Sequence, residues 1–263
     1  MNQIAALDFM DGTFDTDVAN TRSAYNALNA TQQGLVTNYA LLEEAEAGIV
    51  TDEATFATAI ANADKLFLAN DISLGSTVAI DQEVLINGNG KTLTSTVDPI
   101  NGLTHNTSVV VSANNVEITN LTVDANATTP GTWQTPARFG MQVYNATGVK
   151  LTDVTLKNGQ AGLLVNARLS DASVTGTGIN TDGNGFGGIE IFADATFTST
   201  LTLTEPQMHT TSNPAIWSEG AGTTNVVVSQ EWYDKFLAGQ SYSINGNNIT
   251  VPTGQTHWKR VYM

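Results

Sequence analysis

The fold is decided by a nine-residue pattern, VEITNLTVD, at residues 116–124. Apolar residues alternate with other residues on either side of a Thr-Asn pair in its middle. The same pattern recurs with Thr-Asp in the middle at residues 149–157, VKLTDVTLK, and with Ser-Asp in the middle at residues 167–175, ARLSDASVT. Alternation of period two predicts two short strands, and the polar pair predicts a corner between them.

A second series of apolar segments lies in phase with the first. It comprises residues 139–145, 161–166, 187–192 and 213–218, and each segment follows a turn. Gly140 and Gly162 are 22 residues apart, and Gly162 and Gly188 are 26 residues apart. Three short strands per repeat at this period predict stacked coils of a parallel β-helix, because one coil cannot bury its inner face alone. A β-sandwich, the competing fold, requires hairpins at about every 8–12 residues.

Over residues 66–228 the pattern resembles the pectate-lyase-like superfamily, and this resemblance implies a right-handed β-helix. The predicted fold is mainly β, with three-strand coils over residues 51–263. A cap helix is expected at residues 51–64, and Trp232, Tyr233, Phe236 and Trp258 indicate a C-terminal cap at residues 229–263. Both ends of a β-helix need such caps, because each exposes core and unpaired strand edges.

The first 50 residues form a separate acidic segment. Apolar residues at helical spacing predict a hairpin of helices at about residues 14–29 and 31–48, and a third helix follows at 52–63. Residues 1–64 contain ten acids and one base. Residues 14–48 resemble a helical-hairpin repeat found between domains of Gram-positive cell-surface and S-layer-associated proteins. The resemblance implies export and display on a bacterial surface, and it implies no catalytic residue.

The overall charge narrows the possible partners. A net charge of −15 argues against nucleic acid, which requires clustered basic side chains. No apolar run reaches the ~20 residues of a membrane span, so membrane insertion is not expected. The chain has no cysteine. Met1 is not followed by a signal peptide, so an exported protein would have to be a mature fragment or an engineered expression product.

A candidate ligand site lies on the outward face of the second series. If the apolar residues of that series point inward, then Gln142, Tyr144, Asn166 and Glu190 point outward. Insertions at residues 95–108, 125–138 and 176–187 occur at one phase and should stack beside this face, where solenoid proteins usually bind ligands. The second insertion supplies Trp133 and Arg138, which suit a sugar ring.

Two groups of acids are candidates for other chemistry. Glu190 is the single acid on the outward face, and it is the candidate catalytic residue if the chain is an enzyme. Asp153 and Asp171 are expected at one corner of successive coils, where Asn120 precedes them and favours a stacked polar ladder. Residues 180–188 could bind Ca²⁺ through Asp182 and Asn184, or they could form a glycine-rich turn. No cofactor is required, although Ca²⁺ is possible.

These features lead to three hypotheses about function. The first, which we favour, is a non-catalytic module of an exported surface protein that serves adhesion, glycan binding or structural display. Its partners would be a polysaccharide, a cell-wall glycan or neighbouring surface-protein domains. The second is a polysaccharide lyase or glycoside hydrolase. The third is ice binding by threonines such as those at residues 92–94 and 200–204, which do not form a regular ladder in the sequence.

Overall fold

Parallel strands make up most of the protein in the computed structural model. The structure describes residues 2–96, 107–127, 139–185, 187–204, 207–210, 216–228 and 256–257. Its helices are α1 Asn2–Ala5, α2 Phe14–Asn26, α3 Ala30–Gln33, α4 Tyr39–Ala47 and α5 Glu53–Asn62. Its strands are β1 Ile49–Val50, β2 Lys65–Leu68, β3 Ile72–Leu74, β4 Val78–Ile80, β5 Leu85–Asn87, β6 Thr92–Ser95, β7 Thr107–Val111, β8 Glu117–Asp124, β9 Phe139–Tyr144, β10 Val149–Lys157, β11 Ala161–Ala167, β12 Ala172–Thr177, β13 Asn180–Asn184, β14 Gly187–Ala193, β15 Thr198–Thr204, β16 Gln207–Thr210, β17 Ile216–Glu219, β18 Thr223–Val228 and β19 Thr256–His257.

Within the described residues the strands form two sheets. The first sheet has 13 strands, and its main path runs β1-β2-β5-β8-β10-β12-β15-β18-β19. Its pairs are parallel except for β18 with β19, which is antiparallel. The second sheet has six strands in the order β17-β14-β11-β9-β7-β4, all parallel. The predictions of a mainly β chain and of parallel strand pairing are therefore confirmed.

The core lies between these sheets and follows the predicted alternation. Both sheets contribute buried apolar side chains to one continuous cluster. The second sheet supplies Met141, Val143, Leu163, Val165, Ile189 and Ile191, and the first supplies Ile118, Leu121, Val123, Leu151, Val154 and Leu156. Full burial of such a side chain stabilises the fold by about 1.5–3 kcal/mol. The residues between them on the second sheet therefore face away from the core.

The predicted repeat is correct for two of its three segments. In β8 and β10, Leu121 lies opposite Val154 and the neighbouring pairs follow the predicted alignment. Asn120 and Asp153 share a left-handed corner, with φ of 52° and 51°. Asn and Asp tolerate this conformation better than most residues because their short polar side chains bond locally.

The third segment was misaligned, and the predicted position of Asp171 was wrong. Val149 lies opposite Val174, seven residues after the Ala167 that the pattern suggested. The corner residue of this strand is Gly178, whose φ is 63°. Glycine adopts left-handed geometry without the help of an Asn or Asp side chain, so the sequence has no polar residue that marks the corner at Gly178. Asp171 instead accepts a hydrogen bond from the Thr198 amide at 2.8 Å.

The front helices differ from the predicted hairpin in one respect. The second helix is split, because the chain leaves helical geometry after α3 and resumes it in α4. The Asn29 side chain caps α3 in a reciprocal capping box with Gln32. Arg22 of α2 bonds both carboxylate oxygens of Glu46 on α4 at 2.5 Å, which ties the two longer helices together.

Two features attach the front helices to the sheets. Helix α5 begins at an Asp52 cap, and its apolar stripe of Phe56 and Ile60 belongs to the main core. Phe67 of β2 instead joins a second cluster with Phe14, at a ring-centroid distance of 5.3 Å. Its neighbours on the strand, Leu66 and Leu68, face the main core. Strand β2 therefore contributes to both clusters.

At the C-terminal end, the structure describes one short strand of the predicted cap. The predicted C-terminal cap at residues 229–263 lies outside the described residues except for β19. That strand pairs with β18 through its backbone, with Val227 opposite His257.

Candidate functional site

Two rows of side chains cross the outer face of the second sheet. In the first row Gln142, Leu164, Glu190 and Trp217 lie opposite one another on β9, β11, β14 and β17. In the second row Tyr144, Asn166, Phe192 and Glu219 lie opposite one another on the same strands. We call these eight residues, together with Arg168, the outer cluster. The structure therefore brings together the predicted residues Gln142, Tyr144, Asn166 and Glu190.

Burial within the outer cluster is deeper than an outer face suggests. Gln142 is 0% exposed, Asn166 is 1% exposed and Glu190 is 5% exposed. Tyr144 and Phe192 are half-buried, as are Trp217, Glu219 and Arg168. Buried polar groups are normally hydrogen-bonded, so those that are not require an explanation.

Asn166 is the clearest case of an unpaired buried group. Neither its amide oxygen nor its amide nitrogen has a hydrogen-bond partner among the described residues. On the neighbouring strands it is flanked by Tyr144 and Phe192. An unpaired buried amide costs about 1–3 kcal/mol, so this position is unfavourable unless something else binds there.

Glu190 has an unusual protonation state. Burial of its carboxyl and the neighbouring Glu219 carboxylate together raise its pKa to about 8, while the Arg168 charge lowers it. Its Oε2 atom has no hydrogen-bond partner within the described part of the chain. The carboxyl is therefore mostly protonated at neutral pH, where it can donate a hydrogen bond.

The margin of the cluster contains the groups that sequence reasoning missed. The Arg168 guanidinium lies over the Phe192 ring, 4.6 Å from its centroid. Arg168 follows the end of β11, two residues beyond Asn166, and its contact with Phe192 places it at the margin of the cluster. Trp217 donates from Nε1 to Glu219 at 3.0 Å. The alternation of the fourth segment, at 213–218, could have indicated Trp217, and continuing it by one residue would have reached Glu219.

Two of the predicted ligand-binding residues fall elsewhere. Trp133 and Arg138 lie outside the described residues, as do most of the insertions at 95–108 and 125–138.

The third insertion is a strand, not a loop. Residues 180–184 form β13, which pairs with β10. Its Asn184 amide is 0% exposed, accepts a bond from the Gly159 backbone at 2.9 Å and donates to the Leu156 carbonyl at 3.1 Å. Asn184 is therefore engaged with the backbone, while Asp182 is exposed on the strand. No group of three or more His, Asp or Glu side chains suited to a metal ion occurs among the residues that the structure describes.

The outer face of the first sheet has a different character. Thr119, Thr152, Thr177 and Thr204 lie opposite one another on successive strands, so a regular threonine ladder exists that the sequence did not reveal. Its β12 and β15 members are exposed. In the row beside the ladder, Lys150 forms a salt bridge with Glu117.

Comparisons with family models, curated proteins and solved structures find no match to this chain. In the described ranges, no helix has both the length and the apolar character needed to cross a membrane. The proposals below therefore rest on the chain's own residues.

Proposed function

We propose that the chain is a right-handed parallel β-helix module of an exported bacterial surface protein, and that it binds a glycan at the outer cluster without catalysing a reaction. The parallel pairing of both sheets and the shared left-handed corner of Asn120 and Asp153 support the β-helix. The pectate-lyase-like pattern favours the right hand. The surface assignment follows from the resemblance of residues 14–48 to hairpin repeats of Gram-positive surface proteins.

One observation carries the ligand-binding proposal. Asn166 is buried with both polar atoms unpaired, and aromatic side chains stand on either side of it. Ligand sites combine apolar and aromatic walls with a few convergent polar groups that fix orientation. Sugars match this composition because their hydroxyls bond amides and their C–H faces stack on rings. The outer cluster supplies two amides, a neutral carboxyl, a carboxylate, a guanidinium and three aromatic rings.

The test is binding without turnover. The intact protein is titrated calorimetrically with neutral and acidic polysaccharides, and the same mixtures are followed for reducing ends and unsaturated products. We expect saturable binding of at least one glycan, weakened by Asn166→Leu, with no products. Absence of binding to every glycan in the panel would reject the proposal. Thr177→Val, on the outer face of the other sheet, is the control and should bind as the unmodified chain does.

A polysaccharide hydrolase or lyase is the second candidate, and the pKa of Glu190 favours it. A carboxyl that is protonated at neutral pH can act as a general acid when a carboxylate lies nearby. Glycosidases, however, need their two carboxyls separated by about 5–9.5 Å, with the sugar between them. Glu219 is instead an immediate neighbour that interacts directly with Glu190. Turnover that disappears in Glu190→Gln would establish the enzyme and overturn the non-catalytic proposal.

A further inference from the structure

We infer that the outer cluster takes a neutral sugar that presents two adjacent hydroxyls to the Asn166 amide, and that it rejects acidic polysaccharides. This inference rests on the glycan-binding function proposed above and specifies its ligand class.

The position of Asn166 defines a small polar floor. Its neighbours on the adjacent strands, Tyr144 and Phe192, are larger and half-buried, so they stand as walls on either side. On the same face it is flanked by Leu164 within β11 and by Arg168, which follows the end of that strand. A ligand that reaches the amide is therefore held between two rings.

The chemistry of the floor selects the group that binds. The Asn166 side chain offers a donor and an acceptor side by side, and both are unpaired. Two adjacent hydroxyls match this pair, because one donates to Oδ1 while the other accepts from Nδ2. The unpaired Glu190 Oε2 and Arg168 Nε supply further polar contacts. A carboxylate has no proton to give to the Asn166 oxygen, so it would satisfy only half of the amide.

The charges around the site oppose an acidic ligand. Glu219 lies within the cluster beside Glu190, and its carboxylate offsets the single guanidinium of Arg168 even while Glu190 is neutral. The whole chain carries a net charge of −15, which repels a polyanion over a longer range. Each of these effects favours a neutral sugar.

The decisive experiment compares neutral β-1,4-galactan with polygalacturonate, which carries a carboxylate at C6 of each sugar and has the α linkage instead. Methyl-esterified polygalacturonate keeps that linkage without the charge, so it separates the effect of charge from the effect of linkage. The intact chain is titrated with each at pH 7 and moderate salt. We expect galactan to bind at least about tenfold more tightly, which corresponds to ~1.4 kcal/mol. Tighter binding of polygalacturonate, or binding of neither polymer, would overturn this inference and leave glycan binding intact, whereas absence of binding to every glycan of the panel would reject both proposals.

Two further measurements test the contact itself. Periodate cleaves the carbon–carbon bond between adjacent hydroxyls, so galactan treated with periodate should lose its affinity. Asn166→Leu should weaken galactan binding at least about tenfold, again ~1.4 kcal/mol. Asn225→Leu is the matched control, because Asn225 lies on the first sheet, where its amide donates to Thr200 at 3.4 Å and its oxygen is also buried without a partner. Binding that survives both periodate and Asn166→Leu would overturn the inference, and thermal melting verifies that each variant is folded.

Discussion

The outer faces of the two sheets carry similar polar residues in opposite states. On the first sheet, the threonine ladder includes exposed members and its Glu117–Lys150 neighbours are paired in water. On the second sheet, Asn166 and Glu190 are buried, with unpaired polar atoms. Exposed hydroxyls cost nothing to leave to solvent, whereas buried unpaired groups oppose folding. Asn225 on the first sheet also has one unpaired buried oxygen. The contrast therefore lies in Asn166, where both polar atoms are unpaired, and in Glu190.

The largest expected effect comes from Glu190→Gln. The pKa of Glu190 is raised to about 8 from an ordinary value of 4.5, so the native state prefers the proton. The cost of ionising it is absent below pH 4.5, grows as the pH rises, and is complete above pH 8. Gln resembles the protonated form, so the variant should be more stable by about 3–5 kcal/mol at pH 9 and nearly equal at pH 4. Urea unfolding at the two pH values measures this.

A matched substitution on the other face controls for a general charge effect. Glu117→Gln removes an acid from the exposed pair with Lys150 and should change stability by less than about 1 kcal/mol at either pH. If Glu190→Gln and Glu117→Gln behave alike, Glu190 is not held neutral by its surroundings.

The next prediction is that two buried asparagines affect the free energy of unfolding in opposite directions. Asn166→Leu removes an unpaired amide and should raise the free energy of unfolding by about 1–3 kcal/mol in the absence of ligand. Asn184→Leu breaks the bonds to Gly159 and Leu156 and should lower it by a similar amount. Denaturant titration of both variants measures whether the free energy of unfolding rises or falls. A loss of stability in Asn166→Leu would mean that this amide has a structural role and is not reserved for a ligand.

The smallest effect belongs to the threonine ladder. Thr177→Val keeps the shape of an exposed strand residue, so its stability should stay within about 0.5 kcal/mol of the unmodified chain. Ice recrystallisation should be the same with or without the protein, because the charged row beside the ladder interrupts a flat hydroxyl array. Inhibition of recrystallisation that Thr177→Val abolishes would instead make the first face functional.

Sequence reasoning succeeded where a local signal exists. The alignment of Asn120 with Asp153 was predictable, because both corners carry an Asx residue suited to left-handed geometry. The third alignment was wrong because Gly178 provides the same geometry without a polar side chain. The alternation of the second sheet correctly separated the core from residues such as Asn166.

The burial, hydrogen bonding and protonation of the candidate site could not be predicted from the sequence in the same way. Burial of an outer face depends on segments that are distant in sequence, so no local pattern distinguishes Glu190 from Glu117. The same limit applies to Arg168, whose contact with Phe192 crosses two strands. The pKa of Glu190 and the unpaired amide of Asn166 became visible only once the strands were placed side by side.

The double role of strand β2 has a consequence for how the protein unfolds. Phe67 packs against the front helices, while Leu66 and Leu68 pack into the main core, and alternate residues of one strand cannot be released separately. Loss of the helical segment would expose Phe67 to water, at a cost of about 1.5–3 kcal/mol. The helices and the first strands should therefore melt as one cooperative unit, and an external pull on the front segment would be transmitted directly into the sheet.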